Sequence, residues 1–295
     1  MSEIENGHIF LINKPYRYTS QDVVGRVKYT LKKSLNRPKL KVGHAGTLDP
    51  LATGLLIVCV GKATKMAEQL QAEKKEYIAE FTIGATTPSF DREHPINEVF
   101  TIEGIALGRV EWALEQLRQQ REQMPPSYSA KSINGMRAYD LARKGREAEL
   151  KPSAITIYDI ELLAYYPSAV ESSAPSPLER WLTRPPYRDE NNNLAFEIKK
   201  RGYCAPVAKQ SDDELQEACR EPITPEFVEA LPRVVVRIEC SKGTYIRSLA
   251  RDFGELLGSG AYMSALCRTR SGGYRVEDAL SLDDLLGGAL DNFTL

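Results

Sequence analysis

The sequence predicts an α+β fold on a mixed or antiparallel sheet flanked by helices, from three observations. Runs rich in β-branched and aromatic residues come in groups, helical stretches fall between them at irregular spacing, and no regular βαβ alternation or internal repeat runs along the chain. At 295 residues, with 42% hydrophobic and 27% charged side chains, a substantial core is affordable.

The elements follow in order. "HIFLINKP" is a short buried strand stopped by Pro15. "TSQDVVGRVKYTLKKSL" offers Thr19 or Ser20 as N-cap and an apolar stripe at Val23, Val27, Leu31 and Leu35, leaving a basic opposite face. "LLIVCV" is a strand, "ATKMAEQLQ" a short helix, and "EYIAEFTIG" a strand with Tyr77, Ala79, Phe81 and Ile83 on one face. "GRVEWALEQLRQQ" is a helix. "MPPSYSAKSINGMRAYDLARKG" is an extended piece, an Asn134-Gly135 turn and a basic helix closed by Gly145. "ITIYDIELLAYY" and "VVVRIEC" are strands separated by Pro167–Pro232, a stretch too long for a plain connection and so read as an insertion. "SKGTYIRSLARDFGELLG" is a helix with Ile246, Leu249, Phe253 and Leu256 on one face, "AYMSALCRTR" a strand, and Ser281 with Asp284 a capping-box start to a last helix.

Several function classes drop out. The longest apolar run, Leu55–Val60, is far short of a membrane span, and "MSEIENGHIF" has no signal-peptide pattern, so a cytosolic protein is expected. Cys59, Cys204, Cys219, Cys240 and Cys267 form no C-x-x-C pair and only three histidines are present, so neither a disulfide framework nor a zinc site is encoded. "GKAT" lacks the P-loop glycine at Leu56 and its hydroxyl at Ala63, and "GSGAYM" lacks the third glycine of a dinucleotide fingerprint. Cofactor-free, metal-free chemistry by ordinary side chains remains. Net charge is −1, yet Arg26–Lys41 carries seven basic residues and no acidic one. Such a one-sided segment suits phosphate contacts, and equally a solvated helix face. Ser211–Glu229 is, by contrast, almost purely acidic.

One carboxylate stands out. Asp49 precedes Pro50, which biases it toward extended geometry, and Gly43, Ala45, Gly46, Ala52 and Gly54 leave little bulk around it. A large planar group could approach it closely. A structural aspartate bonding its own loop amides has the same local pattern, so the residues alone leave both readings open.

"GHAGTLDPLATGLLIV" resembles the signature of the bacterial tRNA pseudouridine-55 synthase family. "KKEYIAEFTIGATTPSFD", "MPPSYSAKSINGMRAYDLARKG" and "CSKGTYIRSLARDFGELLGSGA" follow in that family's order, and with "FLINKP" and the basic helix the resemblance covers most of residues 8–166 and 233–286. It implies a pseudouridine synthase fold with a central catalytic cleft, and isomerisation of a uridine in the TΨC stem-loop of tRNA without cofactor or metal. It places the nucleophile at Asp49, Tyr77 against the flipped uracil, Tyr245 beside the ring, and Arg247 paired to the Asp49 carboxylate, favouring its ionised form. His44 would fill the space left by the extruded base and Leu266 would line the base pocket. Lys32, Lys33, Lys39, Lys41, Lys131 and Arg137 are the expected contacts to the RNA backbone.

The roles agree with the chemistry. Breaking a glycosidic C–N bond and rejoining the base through carbon needs a held intermediate, which a carboxylate can form. Extruding a stacked base costs a few kcal/mol, part of which an aromatic face recovers.

The chain also departs from the family. Ser89 replaces a threonine and His94 a glycine in the family's T-x-T-x-D-x-x-G, Lys131 sits one position early after "YSA", and Cys267 precedes Arg268 where a second arginine is common. One catalytic domain spanning 1–295, an insertion at about 167–232, no C-terminal RNA-binding domain and a monomeric state are expected. The rival readings are a tRNA-binding or folding helper with little or no catalysis, and a carboxylate-based nucleoside hydrolase.

Overall fold

The computed structural model describes residues 7–36, 39–129, 132–133, 136–137, 150–167, 187–188, 194–195 and 231–285. The chain opens with β1 (His8–Lys14), α1 (Ser20–Ser34), β2 (Val42–His44), β3 (Thr53–Val60), a 3-10 segment (Gly61–Met66), α2 (Ala67–Ala72) and β4 (Lys75–Ile83). Next come β5 (Ala85–Thr86), β6 (Glu98–Val99), α3 (Leu107–Arg118), β7 (Glu122–Gln123), β8 (Ser132–Ile133), β9 (Met136–Arg137), β10 (Ser153–Ala154) and β11 (Ile157–Tyr166). After β12 (Tyr187–Arg188) and β13 (Leu194–Ala195), the last part holds β14 (Arg233–Cys240), α4 (Ile246–Leu256), β15 (Ala261–Ser271), β16 (Tyr274–Arg275), β17 (Leu280–Ser281) and α5 (Leu282–Asp284). Lys131, the Asn134-Gly135 turn, the basic helix before Gly145, Cys204, Cys219 and most of the insertion lie outside the described residues.

Two compact units emerge. One holds the described residues up to Tyr77 and from Leu266 onward, the other those from Ile78 to Pro167 and from Leu231 to Ala265. In the first unit the sheet is mixed. β1 runs antiparallel to β3 from His8↔Val60 to Lys14↔Gly54 and parallel to β17, while β3 also takes β2 antiparallel and β15 parallel at Cys267↔Thr53 and Arg268↔Gly54. Leu55, Ile57 and Cys59 of β3 pack with Ala45, Ala63, Leu70 and Val276 in one buried cluster. Gly54 has φ +97°, and a Cβ there would lie 2.4 Å from the Arg268 carbonyl oxygen, so only glycine lets β3 and β15 approach.

Helix α1 begins where its sequence says it should. The Thr19 hydroxyl accepts from the Asp22 amide at 3.0 Å while Asp22 accepts from the Thr19 amide at 2.9 Å, a reciprocal cap, and Val23, Val24, Val27 and Leu31 are buried. Ser281 caps α5 by accepting from the Asp284 amide at 3.0 Å, with no reciprocal backbone bond among the described residues.

In the second unit β11 and β14 pair antiparallel from Ile157↔Cys240 to Tyr166↔Arg233, with two register shifts. Tyr166 and Arg233, on either side of residues 167–232, are therefore direct neighbours across a ladder. Helix α4 buries Ile246, Leu249 and Phe253, the Phe253 ring meeting Phe81 with centroids 5.7 Å apart. β4 departs from the one-faced strand that its alternation predicts. Both faces are buried, Glu76, Glu80 and Thr82 included, and the partly accessible residue is Tyr77. Hydroxyls of β15 meet the polar face: Thr269 Oγ1 donates to Glu76 at 2.8 Å, and Ser264 Oγ donates to Glu80 Oε1 at 2.6 Å.

Candidate active site

The loop between β2 and β3 carries Asp49, and buried groups grip its backbone on both sides. Lys14, at the end of β1 and 0% exposed, donates from Nζ to the carbonyls of Pro15 at 2.9 Å, Tyr18 at 2.5 Å and Pro50 at 3.2 Å. Three carbonyl acceptors match the three N–H groups of an ammonium. Burial pushes this lysine down to about 7, against the pull of the Asp49 charge, which raises it. Arg268 of β15, 1% exposed, donates from Nε to the Leu55 carbonyl at 2.8 Å and from Nη2 to the Gly46 carbonyl at 3.1 Å. Ser20, the first residue of α1, donates to the Leu48 carbonyl at 3.0 Å and accepts from the Leu48 amide at 2.8 Å. The Arg17 amide adds a bond to the Pro50 carbonyl at 2.8 Å, and the Ala52 amide closes a turn onto the Asp49 carbonyl at 3.1 Å. The carboxylate itself sits at a half-buried position on this fixed loop.

His44 ends β2, paired with Val58, and its Nδ1 is buried without a hydrogen-bond partner among the described residues. Burial and then the Arg268 charge push its imidazole down, so the ring is a neutral aromatic plate near pH 7. Leu266 is buried and its carbonyl accepts from Thr53 Oγ1 at 3.3 Å. Tyr77 is half-buried, and the strand start before it is anchored where Lys75 Nζ donates to the carbonyls of Gln71 and Glu73.

In the second unit, Tyr245 is the N-cap of α4. The buried Gln123 side chain holds it at both polar backbone atoms, accepting from its amide at 2.8 Å and donating to its carbonyl at 3.2 Å. Arg247, two residues on, is 5% exposed. Its Nε lies 3.7 Å from the Asp91 carboxylate, Nη1 donates to the Ser89 carbonyl at 3.3 Å and Nη2 to the Tyr128 carbonyl at 3.0 Å. Asp91, itself buried, also accepts from Ser89 Oγ at 2.6 Å and from the Glu93 amide at 2.9 Å. Lys14, Arg268, Gln123 and Asp91 are the contributors that the sequence reading did not single out.

A relative from Phocaeicola vulgatus, named tRNA pseudouridine synthase B, is 39% identical over 279 residues, covering 95% of this chain and 92% of its own length. This chain belongs to the TruB family of pseudouridylate synthases. The family's N-terminal model matches residues 32–175, and the model of the tRNA pseudouridylate synthase B C-terminal domain matches 247–292. Among TruB relatives, tRNA pseudouridine synthase B of Thermus thermophilus is 37% identical, covering 94% of this chain and 77% of its own. The fold is shared with a solved Cbf5-Nop10-Gar1 complex at a TM-score of 0.55 and 24% identity, covering 97% of this chain and 55% of that one. An H/ACA RNP bound to a substrate RNA containing 2'-deoxyuridine gives a TM-score of 0.53 at 22% identity, covering 99% of this chain and 56% of that one. The mixed α+β architecture is thus that of pseudouridine synthases.

The TruB chain also bears a basic groove. A groove of about 480 Å³ is lined by Lys28, Lys32, Lys39, Leu40, Lys41, Val42, Gly43 and Thr64. It gathers three of the lysines expected to meet RNA and adds Lys28, while Lys33 is exposed outside its lining. Arg137 lies in β9, its side chain outside the described residues, as is Lys131. Among the described residues no cluster of three His, Cys, Asp or Glu side chains suits a metal ion, and no helix is long and apolar enough to cross a membrane.

Proposed function

We propose that this pseudouridine synthase isomerises a uridine of the TΨC stem-loop of tRNA, with Asp49 as nucleophile. The reading is carried by the Asp49 loop, whose carbonyls are gripped by Lys14 and Arg268 while its carboxylate stays half-buried. A nucleophile on a loop fixed in this way keeps its place without reorganising when the substrate arrives. The reaction breaks the C1'–N1 bond, turns the uracil and joins C5 to C1', the C5 proton leaving as N1 gains one, so mass is unchanged.

The uridine leaves its stack to react, and the neutral His44 ring takes the space it vacates. Tyr77 and Tyr245 bracket the extruded base with aromatic surface, and Leu266 closes the pocket against water. In this reading Arg247 is the cationic partner of the Asp49 carboxylate. Around this site the groove lysines Lys28, Lys32, Lys39 and Lys41 neutralise RNA phosphates, with Lys33, Lys131 and Arg137 as further backbone contacts. The protein works in the cytosol as a monomer on a single catalytic domain, with residues 167–232 as an insertion, and needs no cofactor.

The test is to incubate the protein with an unmodified tRNA transcript, then map carbodiimide-tagged positions and weigh the RNA. A single tagged TΨC-loop position at unchanged mass is expected. An abasic site, with loss of uracil mass, identifies a hydrolase instead, and unaltered RNA that still binds identifies a binding protein.

A further inference from the structure

Two loops hold Arg247, and one ring contact joins them. The loop of residues 87–94 offers the Ser89 carbonyl and the Asp91 carboxylate, and the segment ending at Tyr128 offers the Tyr128 carbonyl. At the far side of the pair, the His94 imidazole packs on the Tyr128 ring with centroids 4.5 Å apart and planes at 47°. That separation and tilt lie in the favourable range for aromatic packing.

The two loops are not equally braced. Residues 87–94 are tied internally, Thr87 Oγ1 donating to the Asp91 carbonyl at 2.6 Å, and the Phe90 carbonyl accepting from the Met263 amide of β15 at 3.0 Å. For Tyr128, no hydrogen bond other than that from Arg247 and no ring contact other than His94 is present among the described residues. The brace therefore runs from the stiff loop, through His94, to Tyr128. His94 Nδ1 is buried without a hydrogen-bond partner among the described residues, so the imidazole acts through its ring face and not through that nitrogen.

We propose that His94 is a positioning residue for the isomerisation: by holding Tyr128 it fixes the carbonyl that orients the Arg247 guanidinium. The inference rests on the reading that Arg247 acts beside Asp49. Positioning errors of an ångström cost large factors in rate while leaving remote binding contacts intact.

The experiment compares full-length wild type with His94→Ala, His94→Phe and His94→Gln, measuring single-turnover pseudouridine formation at saturating tRNA transcript, tRNA affinity and melting temperature. His94→Ala and His94→Gln are expected to slow the single turnover by about tenfold, with tRNA affinity within about twofold, whereas His94→Phe keeps a rate within about twofold of wild type. In an Arg247→Lys background, adding His94→Ala should cost little further rate. A wild-type rate in His94→Ala, a His94→Phe protein as slow as His94→Gln, or full additivity with Arg247→Lys overturns the proposal. Should His94→Ala fail to fold, the Phe and Gln variants, which fill the site, still decide. A full rate in Arg247→Lys overturns the reading of Arg247 instead, and is told apart by that variant alone.

Discussion

Removing a buried cation from beneath the Asp49 loop leaves carbonyls that water cannot reach, and that sets the cost. Arg268→Met strips donors from the carbonyls of Leu55 and Gly46. At about 1–3 kcal/mol for each unsatisfied buried group, the variant should lose roughly 3 kcal/mol, read as a lower midpoint in urea at unchanged slope. An undiminished midpoint would mean that the loop keeps its shape without Arg268. Asp49 stood out in the sequence because glycines, alanines and a following proline surround it, and the family resemblance is what favours the nucleophile over the structural aspartate. Arg268 was not visible. A lone arginine in a strand pattern reads as solvent-facing, and its carbonyl partners lie 213 and 222 residues away in the chain. Gln123 and Asp91 escaped for the same reason, since their meaning lies in distant backbone and in a guanidinium 156 positions on.

Strands and helices were legible to different depths. The capped start of α1, the apolar stripe of α4 and the β3 run each announce themselves through local chemistry. β4 does not, because period-two alternation predicts one buried face, and here hydroxyls of β15 let its carboxylates be buried on the other. Burial raises the Glu80 carboxyl above its ordinary value, outweighing the Ser264 hydrogen bond and the charges of Arg233 and Arg92. Its Oε2 has no hydrogen-bond partner among the described residues. The folded state therefore binds this proton more tightly than the unfolded chain, so its stabilising effect is full below the unfolded value near 4.5 and is lost as pH rises through the folded one. Glu80→Gln should flatten that decline, measured as melting temperature against pH from about 4 to 8; a curve parallel to wild type would contradict it. Reading residues 167–232 as an insertion gives a second expectation at this scale. Because Tyr166 and Arg233 are ladder partners, replacing residues 168–230 by a short glycine-containing turn should leave the melting temperature within a few degrees of the full chain. A collapse of the transition would show the insertion to be part of the core.

The molecule as a whole nearly balances its charge at −1, so any pull on nucleic acid must come from local concentration of lysines. Composition hinted at this through the basic run after Arg26, but only the fold shows which lysines share a groove, because Lys28 and Lys32 come from α1 while Lys39 and Lys41 follow it. Exchanging these four for glutamine should weaken tRNA binding and lower the slope of log affinity against log salt by up to about 3. An unchanged slope would turn this face away from the RNA. The central claim is that one carboxylate, held by its buried frame, attacks the substrate. Its most direct measurement is single-turnover pseudouridine formation by Asp49→Asn, alongside tRNA affinity and melting temperature. The account predicts no detectable product, with affinity within a few-fold of wild type and a cooperative melt; product formed at a measurable fraction of the wild-type rate would contradict it.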